Sequence, residues 1–168
     1  MKKASLLIAI VLVAAAVNPV SAKTLSEEQM GLISSNCSSI KLQLKRIQKD
    51  DARNRVHLGA QYESIATNLM MNLNLRLVKN GMASAELAEQ QTTFMSERDR
   101  FKDDYIGYSQ ELETLISVDC KNEPQKFYNQ LNTVRKKRKD VDSSMKRLSN
   151  IVKEHRQSLE SLKEGLKK

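Results

Sequence analysis

The sequence has no tryptophan, and its three phenylalanines and four tyrosines make up only 4% of the 168 residues. A chain so poor in aromatic side chains is not expected to build a thick globular core. Proline and glycine are also scarce, with two and five residues. Because few residues break helices, while Glu, Lys, Gln, Leu and Ser are abundant, we predict a chain that is almost entirely helical.

Motifs of catalysis and of cofactor binding are missing as well. The sequence has no Gly-x-Ser-x-Gly elbow and no glycine-rich phosphate loop. Its two histidines, His57 and His155, have no cysteine or carboxylate at metal-ligand spacing. Adjacent carboxylates such as Asp103 and Asp104 point about 100° apart on a helix, so they make poor acid–base partners. We therefore expect no enzyme activity, no cofactor and no metal.

Only one long apolar run is present, and it lies near the start of the sequence, at residues 6–17. Lys2 and Lys3 precede this run, and the small residues of Val20-Ser21-Ala22 follow it, which is typical of a secretory signal peptide. The run is shorter than the roughly 20 residues that a membrane-spanning helix needs. We predict a signal peptide over residues 1–22, cleaved after Ala22, and export to the periplasm or the extracellular space. Retention of the segment as an anchor is the alternative.

The remainder of the chain, residues 23–168, has a length typical of one domain. The net formal charge of the whole sequence is +8, and it falls to +6 when Lys2 and Lys3 are removed. An exported protein does not meet nucleic acid, and no aromatic stacking platform is interleaved with the basic residues. We therefore expect no nucleic-acid partner in spite of the positive charge.

Apolar residues recur at alternating spacings of three and four along three stretches, which is the heptad pattern of supercoiled helices. The pattern predicts helices at about residues 26–79, 84–118 and 124–166. It places Leu69 in the seam of the first helix, Phe94, Phe101 and Leu112 in that of the second, and Val152 in that of the third. Short connections between long helices favour antiparallel neighbours. The predicted fold class is therefore all-α, a single domain that forms an elongated antiparallel three-helix coiled-coil bundle. A second copy of the chain joined through the same seams is the alternative.

Polar residues interrupt the predicted seams at a few positions. Asp51 and Asn54 occupy seam positions of the first helix, and Arg138 and His155 occupy those of the third. We interpret the four as a candidate polar layer that sets the register of the helices at a cost in stability, with a ligand site as the alternative. His155 is either a tolerated polar core residue or the source of a pH response.

The two cysteines, Cys37 and Cys120, are predicted to form one disulfide, because an exported chain meets an oxidising compartment. If the chain reverses near Gly81, the cysteines lie about 44 and about 39 residues from the turn, and at about 1.5 Å per residue these distances nearly match. An antiparallel hairpin therefore brings both thiols to the same end. Two free thiols are the alternative.

Charge is distributed unevenly between the second and third predicted helices. Residues 84–119 carry nine acidic and three basic side chains, whereas residues 124–168 carry five acidic and thirteen basic ones. We expect the two helices to pair, with Arg138 near Asp104 and Lys139 near Asp103. Charges that flank a heptad seam commonly select the partner helix and its register.

The same register places Lys146 and Arg147 near Glu97 and Asp99. Some basic side chains are expected to stay in solvent, and they are candidate contacts for anionic lipid or polymer. These candidates are Lys136, Lys137, Lys163, Lys167 and Lys168.

The segment NLMMNLNLRL, residues 68–77, is apolar on more than one side. One interpretation is that Met70, Met71 and Leu75 pack against both neighbouring helices. The other is an adaptable binding surface, since methionine accommodates irregular partners.

Together these features predict a non-enzymatic, exported helical protein with a binding or structural role. It is expected to act through contacts with a protein partner in the cell envelope or outside the cell, and a homo-oligomer is open as well. One alternative is a holdase-type chaperone of the envelope. Another is a peripheral binder of anionic lipid or polymer that uses the basic third helix.

Overall fold

A computed structural model describes residues 24–165, so the predicted signal peptide and residues 166–168 lie outside the described part of the chain. Of the described residues, 89% are helical and none forms a strand. The elements in chain order are α1 (Glu27–Ser35), α2 (Cys37–Ser64), a π-helical segment (Ile65–Met71), α3 (Asn72–Lys79), α4 (Ala85–Ser117) and α5 (Pro124–Gly165).

The stretch predicted as one helix over residues 26–79 is divided in two places. It begins with a capping box, in which the Ser26 hydroxyl accepts from the Gln29 amide at 3.2 Å and the Gln29 side chain accepts from the Ser26 amide at 3.1 Å. The first division lies at Asn36, between α1 and α2. There the side chains of Ser35 and Asn36 donate to the Leu32 carbonyl at 3.2 and 2.9 Å, which competes with the regular helical bonds.

The second division is the π-helical segment, which changes the face that is buried. A π-helical turn bonds residue i to residue i+5 and so contains one residue more than an α-helical turn. The heptad pattern predicts Leu69 in the seam, but Leu69 is 61% exposed and Met70 is 2% exposed. The prediction for Leu69 is therefore wrong, because the extra residue moves the buried position one step along the chain.

The reversal between α3 and α4 is a tight turn around Gly81. Gly81 has a positive φ of 69°, which glycine adopts without the steric penalty of a side chain. The Met82 amide donates to the Leu77 carbonyl at 2.8 Å, and this bond closes the end of α3. Ser84 then caps α4 by accepting from the Leu87 amide at 3.3 Å.

α4 and α5 lie side by side and run antiparallel. Gln130, near the start of α5, donates to the Glu111 carboxylate at 2.7 Å, near the end of α4. Ser158, near the end of α5, donates to Glu86 at the start of α4, at 2.6 Å. The elements from α1 to α3, which we call the first segment (residues 27–79), also pack against α4. The apolar core consists of residues from the first segment, α4 and α5.

Aromatic rings occupy the centre of this core despite their scarcity in the sequence. The ring of Tyr62, in α2, meets the rings of Phe94 and Phe101 in α4 edge to face, at centroid distances of 6.2 and 5.3 Å. Such contacts add stability beyond the apolar area that they bury. Leu115 and Leu148 are fully buried elsewhere in the same core.

A disulfide joins Cys37, at the start of α2, to Cys120, in the turn after α4, with a Cα–Cα distance of 5.5 Å. The predictions of a helical chain and of this bond are thus confirmed, while the three-helix coiled coil stays a prediction. Within residues 24–165, no helix has the length and apolar character that crossing a bilayer requires.

Candidate functional site

Asp51 is the centre of a polar contact between three helices. Its carboxylate accepts a hydrogen bond from the Tyr108 hydroxyl of α4 at 2.6 Å. Its other oxygen lies 3.4 Å from the Arg138 guanidinium of α5. Burial, followed by the hydrogen bond to Asp51, raises the pKa of Tyr108, so its hydroxyl remains a donor. The contact connects α2, α4 and α5 at one height.

The other two residues of the candidate polar layer are placed differently. Asn54 is exposed, one turn after Asp51, and lines a cleft between α2, α4 and α5. His155 follows Arg138 by 17 positions on α5, which at about 1.5 Å per residue corresponds to about 25 Å. The structure therefore brings Asp51 and Arg138 together and leaves His155 in a separate environment.

A cleft of about 690 Å³ opens beside Asp51, between α2, α4 and α5. We call it the central cleft. Its apolar lining includes Leu58 of α2, Phe101 of α4, and Val141 and Met145 of α5. Its charged lining consists of two carboxylates and four cations, namely Asp51, Asp142, Arg55, Arg135, Arg138 and Lys139.

Tyr105 forms part of the wall of the central cleft on the α2 side. The guanidinium carbon of Arg55 lies 5.3 Å from the centre of its ring, which is a cation–π distance. The ring is buried and packs edge to face against Tyr108. Burial and, less strongly, the charge of Asp51 raise the pKa of Tyr105, while Arg55 opposes them. The ring of Tyr105 thus positions one cation at the cleft.

Three cations of the basic run, residues 133–140, line the central cleft, namely Arg135, Arg138 and Lys139. Arg138 pairs with Asp51 and not with Asp104, so the predicted pairing is wrong. Asp104 instead accepts a hydrogen bond from the Ser144 hydroxyl. Lys139 does not form the predicted pair with Asp103 either, since no carboxylate of residues 24–165 lies within 4 Å of its amine.

The predicted register is correct further along α5. Arg147 contacts Glu97 at 2.6 Å, as expected. Lys146 pairs within its own helix, with Asp142 at 2.7 Å, so the predicted contact of Lys146 with α4 is wrong. Side chains on the outside of a helix reach neighbours three or four residues away more easily than they reach a second helix.

The candidate contacts for anionic lipid or polymer occupy different surroundings. Lys136 and Lys163 are exposed on α5. Lys137 is half-buried, and its amine lies 4.0 Å from the position where a side chain on Gly107 would begin. Lys167 and Lys168 lie outside the described residues.

His155 is buried between α4 and α5. Its Nδ1 lies 3.1 Å from the Gln90 side-chain oxygen, which assigns the ring proton to Nδ1. Its Nε2 has no hydrogen-bond partner within residues 24–165. Burial lowers the pKa of His155, because it removes the charged form of the ring from water.

This environment predicts a loss of stability in mild acid. Since the pKa of His155 is lower in the folded state than the value of about 6.5 in an unfolded chain, the unfolded state binds more protons below that pH. We expect the melting temperature to fall between about pH 7.5 and pH 5.5, and to fall less in His155→Gln. Thermal melts followed by circular dichroism at a series of pH values measure both.

The matched control is the other histidine. His57 is exposed on α2 at the central cleft, and its hydrogen-bond partner among the described residues is Gln61 of the same helix, at 3.2 Å. The variant His57→Gln should therefore keep the pH dependence of the wild type. Equal slopes for all three proteins would contradict the assignment to His155.

An apolar strip lies on the outer side of the first segment, and we call it the apolar edge. It consists of Met71, Leu75 and Val78, which follow one another at intervals of four and three and so share one helix face. Leu75 is 55% exposed and Val78 is 61% exposed. Packing of Met71 and Leu75 against both neighbours is therefore a wrong prediction, whereas Met70 is buried as expected.

The central cleft was not visible in the sequence pattern. The cleft requires α2, α4 and α5 to meet, and heptad counting does not show which cations face each other across three helices. Among residues 24–165, no group of three or more histidines, cysteines and carboxylates is arranged to hold a metal ion.

Fold and contacts define a predominantly helical protein with one disulfide, a cationic cleft and an exposed apolar edge. A disulfide is compatible with an exported protein. Comparison with protein-family models, curated proteins and solved structures finds no match to this chain.

Proposed function

We propose that this chain is an exported, non-enzymatic helical protein that binds a protein partner in the cell envelope or outside the cell. In this proposal a signal peptide is removed after Ala22. The helices then form an elongated antiparallel three-helix coiled coil, about 60 Å long for the 42 residues of α5. The disulfide is the observation that supports an oxidising compartment.

The apolar edge carries the proposal of a protein partner. Met71, Leu75 and Val78 lie together on one helix face and are exposed to solvent. Contiguous exposed apolar side chains are typical of interaction surfaces, because covering them removes apolar area from water. An amphipathic helix or an apolar patch of the partner fits such a strip.

Photo-crosslinking in the producing cells tests this proposal. With a photoreactive residue at position 78, we expect one defined protein adduct. The change Leu75→Glu places a charge in the apolar edge. It should reduce the adduct by about tenfold, because binding of the partner would then remove a charged side chain from water. The change Leu42→Glu is the matched control, because Leu42 is equally exposed on α2 but lies outside the apolar edge.

Three outcomes would contradict the proposal. They are the absence of an adduct, an adduct that both substitutions reduce equally, and an adduct that neither reduces. Adducts with many unrelated proteins would favour the alternative of an envelope holdase-type chaperone, for which exposed apolar side chains are also expected.

Exposure of Lys136 and Lys163 supports a second candidate function, peripheral binding of anionic lipid or polymer through α5. Such binding weakens steeply as salt rises, because it depends on solvent-exposed charges. Binding to a specific protein through the apolar edge should persist at high salt.

A further inference from the structure

The central cleft has positive charges that its own carboxylates do not neutralise. Asp142 pairs with Lys146 at 2.7 Å, and Asp51 contacts Tyr108 and Arg138. Both carboxylates of the cleft are therefore engaged. The other three cations of the cleft have no carboxylate within 4 Å in the part of the chain that the structure describes.

Three cations of the cleft share one wall. Arg135, Arg138 and Lys139 follow each other on α5 at intervals of three and one, so Arg135 lies one turn from the other two. All three are exposed, and Arg138 forms one ion pair among the described residues, with Asp51 at 3.4 Å. Guanidinium groups bind carboxylates and phosphates through two parallel hydrogen bonds. This wall therefore has donors left for an anion.

The lining next to these cations is apolar. Leu58 and Met145 are half-buried, and Phe101 and Val141 are buried in the core beside them. A volume of about 690 Å³ lies within the range of about 300–1,000 Å³ that small-molecule sites occupy. The cleft thus has room for an organic molecule as well as a charged group.

The two properties together restrict the chemistry of an occupant. A small inorganic anion would pair with the guanidinium groups but leave the apolar lining in contact with water. An uncharged apolar molecule would cover that lining but remove water from the cations without replacing its hydrogen bonds. A molecule with an anionic head and an apolar body satisfies both.

We propose that the central cleft binds an anionic amphiphile, with a carboxylate or phosphate head on Arg135, Arg138 and Lys139 and an apolar chain against Leu58 and Met145. This ligand is distinct from the protein partner of the apolar edge. Charge complementarity with the α5 wall selects the head, and the apolar lining selects the chain.

Nuclear magnetic resonance titration of the oxidised, isotope-labelled protein tests the proposal. The probes are octanoate, octyl phosphate, octan-1-ol and acetate, each below its aggregation threshold. We expect octanoate, octyl phosphate or both to bind at least about tenfold more tightly than octan-1-ol and acetate, since each control lacks one part of the recognition. The shifted backbone signals should come from residues 51–58, 101–108 and 135–145.

Charge variants show whether the α5 wall is responsible. The double variant Arg135→Gln, Lys139→Gln should weaken binding of the preferred anion by about tenfold. The control is Lys136→Gln, Lys153→Gln, which removes the same charge from exposed positions of the same helix that do not line the cleft. All four residues are exposed, so thermal melts should show that both variants remain folded.

Several results would overturn the proposal. Equal binding of octan-1-ol would show that only the apolar lining acts, and equal binding of acetate would show that only the charges act. Equal weakening in both charge variants would show an unspecific attraction by the basic helix. Shifts of backbone signals only outside the central cleft, or no binding of either octyl anion, would also overturn the proposal.

Discussion

Replacing both Cys37 and Cys120 by serine is expected to lower the free energy of unfolding by about 4 kcal/mol. The bond joins residues that are 83 positions apart, so its loss frees a long loop in the unfolded chain. In the chain-entropy model, the stabilisation by a crosslink grows slowly with the length of the loop that it closes. Equilibrium unfolding in urea, without reductant, measures the difference.

The control for this experiment is the wild type with a thiol reductant. It should unfold at a lower urea concentration than the oxidised wild type, and the double variant should not respond to the reductant. The single variant Cys37→Ser should expose one titratable thiol, on Cys120, after denaturation. Two reactive thiols in the denatured wild type without reductant would contradict the bond.

Replacing Phe94 by alanine is expected to lower the free energy of unfolding by about 3–5 kcal/mol. Phe94 is 0% exposed and packs edge to face against Tyr62, so the change leaves a cavity and removes an aromatic contact. Urea unfolding again measures the effect.

The adjacent residue provides the matched control. Met95 is 38% exposed on the same helix, and its replacement by alanine should change the free energy of unfolding by less than about 0.5 kcal/mol. A large loss in Met95→Ala, or a small one in Phe94→Ala, would show that the buried side of α4 is assigned incorrectly.

The seams of α4 and α5 were largely predictable from the sequence. Phe94, Phe101 and Leu112 are buried where the heptad pattern placed them. Near the end of α5 the burial departs from the heptad pattern. The pattern places Val152 in the seam, but Val152 is 36% exposed and its neighbour Ile151 is buried. Periodicity defines a face of a helix, whereas the burial of each residue on that face depends on the neighbouring helix.

The first segment was less predictable, for a local reason. Heptad counting assumes a uniform number of residues per turn, and the π-helical segment Ile65–Met71 violates that assumption. Met70 is therefore buried in place of Leu69, and the apolar edge remains in solvent. An irregular spacing of the apolar residues was the only sign of this segment in the sequence.

The basic run shows what pairwise reasoning leaves out. Matching a basic helix with an acidic one placed Arg147 near Glu97, and the structure has this contact. It placed Arg138 on Asp104 because it compared only two helices, whereas the interpretation of a polar layer had grouped Arg138 with Asp51 of a third helix. The energies of exposed ion pairs are about 0–1 kcal/mol, so they do not dictate which of two acidic neighbours a cation chooses.

The sequence by itself determined the helical class and the pairing of Cys37 with Cys120, because both follow from local periodicity and from the count of residues about one turn. Only the tertiary structure decided that Arg135, Arg138 and Lys139 line one cleft with Asp51. Such a cleft depends on the rotation and height of three helices relative to one another. Those are set by the sum of many packing contacts, which no single stretch of sequence contains.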